Sequence, residues 1–221
     1  MFAGHYAAAL AAKAIEPKAP TWALVAGCQL IDIGWSALVI AGIEHGRVDP
    51  SLPGSALVLE HMPYTHSLPG VIAWSLGAVL IARYALRLGW RPAIAIGAVV
   101  FSHWLLDLAV HRPDLELYPN GPKAGFALWD YPVIEQAVEI GLIAVAGMFW
   151  AAQRTVAGFK AWPAAMFVLT LVAVQIIAML MPAVASSSIA ETGPMALAVY
   201  LALTAGAAFL DRRANSPQPI A

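Results

Sequence analysis

Three side chains with the chemistry of metal ligands are spaced along one short stretch, residues 102–111. His103, Asp107 and His111 lie at positions i, i+4 and i+8, which an α-helix stacks along one face over roughly 12 Å. The residues around them, from 92 to 110, are otherwise almost entirely apolar. In lipid, each polar group costs roughly a few kcal/mol unless another group pairs with it. We therefore expect partners for these side chains from other parts of the chain.

Further ionisable side chains within or beside apolar segments extend this set; they are Asp32, His66, Glu135 and Glu139. Imidazole nitrogens and carboxylate oxygens are ligands of Zn²⁺, Mn²⁺ and Fe²⁺, and three or four of them around one ion would neutralise buried carboxylates. A metal site with an open position lowers the pKa of its water to about 7. The set therefore best supports metal-assisted hydrolysis.

The composition indicates the class of protein in which these residues must be positioned. The chain has 221 residues, of which 61% are hydrophobic and 11% are charged, whereas a soluble domain is about 25% charged. This predicts an all-α polytopic transmembrane bundle, with residues 1–221 forming one domain. The net charge of −1 gives no sign of a nucleic-acid partner. Cys28 is the only cysteine, which excludes an intrachain disulfide and any cysteine-based zinc site.

Six apolar segments are long enough to cross a bilayer, at residues 21–43, 66–88, 92–110, 132–152, 162–184 and 194–210. Residues 1–15 predict an additional short helix that carries His5 and either lies at the interface or tucks into the bundle. These residues lack a basic start, so we expect them to be retained and not removed as a signal peptide.

The last two segments differ from the others because they contain no Asp, Glu, Lys, Arg or His. We expect them to pack, or to contact a second copy or a larger membrane complex. The part that builds the metal site would then cover about residues 1–140, and the apolar C-terminal spans about residues 162–210.

The distribution of basic residues predicts the orientation in the membrane. With six spans, nine of the 12 Lys and Arg residues fall on one side, which is the pattern of a cytoplasmic face and puts the C-terminus in the cytoplasm. The connections 44–65 and 112–131 then lie outside. In this arrangement one group of ionisable residues shares the outer half of the bundle: Asp32, His66, His103, Asp107, His111, Glu135 and Glu139.

Simpler interpretations of these residues stay open. His103, Asp107 and His111 could form a hydrogen-bonded trio that only stabilises helix packing. Glu135 and Glu139 could cap a helix, or pair with Arg112 or Lys123, instead of acting as ligands or bases. His111 lies nearest the outer surface, so we expect it at the entrance or behind the ligands and rank it below His103 and Asp107. The motifs of zincins, serine hydrolases with a nucleophile elbow and P-loop proteins are all missing from the sequence.

Two motifs resemble the signature of bacterial membrane-bound metal-dependent hydrolases, the LexA-regulated inner-membrane hydrolase group. They are Thr-His-Ser-Leu at residues 65–68 and Ser-His-Trp-Leu-Leu-Asp at residues 102–107. A longer pattern is similar to a related set of uncharacterised bacterial integral membrane proteins and covers about the first 140 residues. It comprises His5, Gln-Leu-Ile-Asp at 29–32, Gly-Ile-Glu-His at 42–45, Pro-Tyr-Thr-His-Ser-Leu at 63–68 and His-Arg-Pro-Asp-Leu-Glu-Leu-Tyr-Pro at 111–119.

The resemblance implies a helical membrane bundle in the bacterial inner membrane that holds a divalent metal through His and Asp. It supports one set of ligand candidates, with His111 and Glu139 as further members: His5, Asp32, His66, His103 and Asp107.

The leading hypothesis is a hydrolase with a divalent ion, Zn²⁺ before Mn²⁺ or Fe²⁺. Asp32, His66, His103 and Asp107 would hold the ion, while Glu139 or Glu135 would be the general base. A site near the outer leaflet favours an amphiphilic or lipid-linked substrate. Two other classes remain: a non-enzymatic accessory subunit with a structural metal or a hydrogen-bonded polar cluster, and a transporter or channel lined by the same polar groups.

Overall fold

The backbone is mainly helical, with two small β-hairpins in the connections. The computed structural model describes residues 2–180 and 189–214. Within these residues the elements in chain order are α1 (His5–Ile15), α2 (Thr21–Cys28), α3 (Leu30–Ile40), β1 (His45–Val48), β2 (Leu57–His61), α4 (Leu68–Leu80), a π-helical turn (Ile81–Ala85), α5 (Trp90–Val110), β3 (Leu115–Glu116), β4 (Lys123–Ala124), a 3₁₀ turn (Leu128–Asp130), α6 (Pro132–Val156), α7 (Trp162–Leu180) and α8 (Ile189–Ala214).

The prediction of a polytopic helical bundle is confirmed. Five described helical segments are long and apolar enough to cross a membrane: Leu68–Ala85, Trp90–Val110, Pro132–Val156, Trp162–Leu180 and Gly193–Asp211. A bent pair of helices, α2 and α3, brings the number to six. Each of these segments overlaps one predicted span; residues 181–184 of the predicted fifth span lie outside the described residues.

The first span is broken where the sequence predicted one continuous helix. The axes of α2 and α3 differ by 51°, and the break falls at Gln29. The Gln29 side chain is buried and donates to the carbonyl oxygen of Phe2. Because α2 ends at Cys28, the Cys28 carbonyl is among the last four of its helix and has no i+4 partner within it. This carbonyl is therefore free of helix hydrogen bonds and can accept one from a side chain.

The short helix α1 lies inside the bundle and not at its surface. Tyr6 and Leu10 are fully buried, and α1 packs against α2, α5 and α6. Its alanines let these helices approach closely, and its first residue, His5, faces inward with 1% of its surface exposed. Of the two positions considered for this helix, the structure shows the one within the bundle.

Two antiparallel hairpins lie at the same end of the bundle, in the connections 44–65 and 112–131, for which the sequence predicts no secondary structure. β1 pairs with β2 between α3 and α4, and β3 pairs with β4 between α5 and α6. The side chains of Arg112 and Lys123 form their hydrogen bonds in these connections. Arg112 donates to Asp130 and to two backbone carbonyls, and Lys123 donates to the carbonyls of Leu59 and Glu60. The alternative in which these cations pair with Glu135 or Glu139 is therefore wrong.

Helices α4 and α5 pack closely against each other beside the site. A side chain at Gly97 of α5 would collide with Val79 of α4, so glycine at this position sets the close approach. Helix α4 begins immediately after Ser67, whose hydroxyl caps it by accepting the Gly70 N–H. The cap holds His66 just outside the helix, next to α5.

Candidate metal centre

Six of the predicted ligand residues converge at the end of the bundle that carries the hairpins. Asp32 lies on α3, His66 precedes α4, His103 and Asp107 lie on α5, and His111 follows the last residue of α5. His5 joins them from the first turn of α1. Their proximity is a structural finding, while their role as ligands stays a prediction.

Asp107 is the centre of the cluster and is 2% exposed. Its Oδ1 atom lies 3.1 Å from Nε2 of His5 and 3.7 Å from Nε2 of His111. Its Oδ2 atom lies 3.1 Å from Nε2 of His103 and 3.7 Å from Nε2 of His66. Each carboxylate oxygen therefore faces its own pair of imidazoles.

Asp32 approaches two of the same imidazoles from the opposite helix. Its Oδ1 atom lies 3.4 Å from Nε2 of His103 and 3.5 Å from Nε2 of His66. Its other oxygen accepts a 3.0 Å hydrogen bond from the hydroxyl of Tyr200 on α8. This bond fixes the carboxylate so that Oδ1 stays directed at the histidines.

The separations of these atoms fit a divalent ion. Ligand atoms at about 2.0–2.1 Å from a tetrahedral Zn²⁺ are roughly 3.3–3.4 Å apart. Two triplets of residues meet the geometric requirement for a shared ion: Asp32, His66 and His103, and His5, His103 and Asp107. Among the described residues, Nε2 of His5 and Nε2 of His103 make no hydrogen bond of acceptable geometry despite these short contacts. Such contacts are expected where the Nε2 lone pairs point at metal ions instead of donating or accepting hydrogen bonds.

The other ring nitrogen of three histidines is occupied by an acceptor, which determines where the proton sits. Nδ1 of His103 donates to the Cys28 carbonyl at 2.8 Å, and Nδ1 of His111 donates to Asp114 at 3.0 Å. Nδ1 of His66 contacts the Thr65 hydroxyl at 2.8 Å. With the proton on Nδ1, each ring presents the lone pair of Nε2, which is the usual arrangement of a ligating histidine.

The Thr65 contact belongs to a longer chain. The Thr65 hydroxyl donates to the buried carboxylate of Glu44, so its oxygen is free to accept the Nδ1–H of His66. Glu44 also accepts the backbone N–H groups of Tyr64 and Thr65, which holds this loop in place. The orientation of His66 is thus set by a carboxylate in the connection before β1.

His111 lies beside Asp107 and also lines a cavity, so its predicted place at the entrance or behind the ligands stays a prediction. The ring is 3% exposed and lies 4.0 Å from the Trp129 ring, measured between centroids. Burial lowers the pKa of His111 below that of an ordinary histidine, which favours the neutral ring.

The two predicted general bases are placed differently. Both oxygens of Glu139 accept the N–H of Phe2, and Oε2 also accepts the N–H of Gly4, so this carboxylate binds the start of α1. That position suits a negative charge because it lies at a helix N-terminus. Glu135 accepts a bond from Gln136, whose amide oxygen in turn accepts from Gln175 on α7. No distance in the structure assigns either glutamate a catalytic role.

A cavity of about 540 Å³ leads to the cluster. Its described lining includes Asp32, His66, Asp107 and His111 together with Glu135 and Glu139. Apolar and aromatic side chains form other parts of the wall, among them Trp35 of α3, Trp129 of the 3₁₀ turn, Met179 of α7 and Tyr200 of α8. The polar cluster is thus connected to a space large enough for part of an organic molecule.

Several site residues were not predicted. Tyr200 and Gln175 lie on the two spans that we expected to pack or to contact another chain, and a single hydroxyl or amide in an apolar helix carries little signal. Glu44, Thr65 and Asp114 are different, because they belong to the stretches that carry the family resemblance. Their position beside predicted ligands could have suggested that they support those ligands.

Comparison of the chain with protein-family models, with curated proteins and with solved structures gave no significant match. The geometry of the cluster is therefore the basis for the functional argument.

Proposed function

We propose that this chain is an integral membrane metal-dependent hydrolase that acts on an amphiphilic or lipid-linked substrate. The observation that carries the proposal is the cluster of imidazoles and carboxylates, with Nδ1 of His66, His103 and His111 each held by an acceptor and Nε2 directed at Asp32 or Asp107. A hydrogen-bonded packing cluster would not require every Nε2 to face the same small volume.

Asp32, His66, His103 and Asp107 are the residues that would hold the ion. Their mixed nitrogen and oxygen set suits Zn²⁺, with Mn²⁺ and Fe²⁺ as alternatives. When bound, a divalent ion supplies Lewis-acid activation of water near neutral pH. Thr65, Cys28 and Tyr200 hold the donor atoms in place through the hydrogen bonds described above.

Glu135 is the residue that we propose as general base. Both glutamates line the cavity, but both oxygens of Glu139 already accept backbone N–H groups at the start of α1. The Gln136 amide that donates to Glu135 orients its carboxylate. Glu139 instead positions His5, which begins the helix that it caps.

The lining of the cavity supports an amphiphilic substrate. One wall is formed by α7 and α8, with Ala178, Met179 and Ala196 beside polar groups of the centre. α7 packs mainly on α6, whereas α8 packs mainly on α2 and α3, so the cavity lies between two separately supported helices. An acyl chain could occupy this apolar side while its head group reaches the cluster.

The location follows from the same proposal. We place the protein in the bacterial inner membrane, with the C-terminus in the cytoplasm and the hairpin end with its cavity on the periplasmic side. The support is the excess of Lys and Arg in the connections at the opposite end of the bundle.

Metal analysis of purified protein tests the proposal first. Wild type equilibrated with Zn²⁺ and then dialysed should retain stoichiometric metal by elemental analysis, and His103→Ala should retain at most about a tenth of it. His45→Ala is the control, because His45 is exposed on β1 and is not one of the six candidate ligands. A wild type that retains no metal under these conditions overturns the proposal.

Turnover on vesicles containing amphiphilic esters and phosphoesters is the second test. Glu135→Gln should lower kcat about 10²–10⁴-fold, the usual contribution of a general base, without changing metal content. Stoichiometric metal with no hydrolysis of any of these compounds would instead support the accessory-subunit alternative.

A further inference from the structure

We infer that the centre holds two metal ions and that the carboxylate of Asp107 bridges them. The inference rests on the proposed metal-dependent function and specifies the number of ions. One ion would be bound by Asp32, His66, His103 and Oδ2 of Asp107. The other would be bound by His5, His111 and Oδ1 of Asp107.

The histidines divide evenly between the two oxygens of Asp107. Oδ2 faces His103 and His66 at 3.1 and 3.7 Å, and Oδ1 faces His5 and His111 at the same two distances. A carboxylate that bound one ion through one oxygen would not need a second pair of imidazoles at the other oxygen. This symmetry is the pattern of a bridging carboxylate.

The imidazole ring of His5 stacks on that of His103. Their rings are 3.8 Å apart between centroids and only 5° from parallel, and both direct Nε2 at Asp107. In-plane lone pairs on parallel rings run side by side and do not converge on one point. Two ions about 3.5–4 Å apart, the usual spacing of two-metal sites, match donors at this separation.

The histidines and carboxylates of the cluster offer more donor atoms than one four-coordinate ion can use. His103 belongs to both triplets that could hold an ion, but its Nδ1 donates to Cys28, so it has only Nε2 to offer. Asp32, His66, His103 and one Asp107 oxygen already supply four donors to the first ion. His5 and His111 are then left with their Nε2 atoms 3.1 and 3.7 Å from the second oxygen of Asp107.

Two ions would also narrow the substrate class. A two-metal site stabilises both the attacking and the leaving oxygen of an in-line displacement, which is the arrangement of phosphatases and nucleases. The head group expected for this cavity is therefore an amphiphilic phosphoester in preference to a carboxylic ester or amide.

Titration of metal-free protein with Mn²⁺ tests the inference without any substrate. Wild type should bind two Mn²⁺ per chain at saturation and give the broadened spin-coupled spectrum of a Mn²⁺ pair. His5→Ala and His111→Ala should each bind one and give the spectrum of an isolated ion. The two variants lie on different elements, so either can serve if the other does not fold, and His45→Ala is the control that should still bind two.

The outcomes separate this inference from the proposed function. One Mn²⁺ in wild type, retained in His5→Ala and lost in His103→Ala, would overturn the two-ion centre and leave a single-ion hydrolase. Two ions in a folded His5→Ala or His111→Ala variant would also overturn it. The absence of bound metal from wild type, with Zn²⁺ as well as Mn²⁺, would remove both.

Discussion

A carboxylate outside the cluster orients His66, although it touches none of the proposed ions. The path runs from Glu44 through the Thr65 hydroxyl to Nδ1 of His66. All three residues are buried, so none of these bonds competes with bulk water. Outer groups of this kind raise the basicity of a ligating histidine and fix its ring.

Thr65→Val should therefore weaken metal binding without removing a ligand. The substitution keeps the shape of the side chain and removes the hydroxyl, and we expect the Kd for Zn²⁺ to rise about 10–100-fold. Competition with a fluorescent chelator measures this. Thr170→Val is the control, since that hydroxyl is exposed on α7 and bonds only the carbonyl of Met166 among the described residues. Equal affinities in the wild type and Thr65→Val would refute this role of Thr65.

At the scale of elements, the six spans could be predicted because length and apolarity are local properties of the sequence. The break at Gln29 could not, since residues 21–43 form one mainly apolar run and the partner of the Gln29 side chain, the Phe2 carbonyl, lies far away in the sequence. The hairpins are also non-local, and they determine where Glu44 and Asp114 lie. Spacing alone predicted that His103 and Asp107 share a helix face. It could not predict that His5 stacks on His103, because that depends on how α1 enters the bundle.

Gly97→Ala tests the close contact of α4 with α5. The added methyl group would meet Val79 and the Ser75 carbonyl, so we expect a loss of about 1–3 kcal/mol in the free energy of unfolding. Thermal unfolding in detergent should show a lower midpoint.

Gly77→Ala on the partner helix is the matched control, because a Cβ there meets no atom within 4 Å among those described. It should unfold at the wild-type temperature or slightly above it, since alanine favours helix. A Gly97→Ala variant as stable as Gly77→Ala would show that the two helices do not depend on this contact.

At the scale of the whole molecule, the functional groups are concentrated at one end. The cluster, the cavity and both hairpins lie there, whereas Lys13 and Asp211 meet at the opposite end. This asymmetry makes the orientation in the membrane decisive for which compartment supplies substrate.

Labelling in intact cells tests the proposed orientation. Ser51→Cys, in the β1–β2 hairpin, should react with a membrane-impermeant maleimide, whereas Ala157→Cys, after α6, should react only once the cells are permeabilised. Both positions are exposed, and the native Cys28 is buried, so it should contribute no background. The reverse pattern would place the cavity on the cytoplasmic side.

The contacts of α1 have a consequence for biosynthesis. Glu139 of α6 holds its first residues, and Lys13 near its end contacts Asp211 of α8. A ribosome makes α1 long before either partner, so its contacts wait until the later helices have been inserted. His5 belongs to α1, so the centre can be completed only after nearly the whole chain has been translated. A truncated nascent chain would therefore lack a finished centre, and metal loading would be among the last steps of maturation.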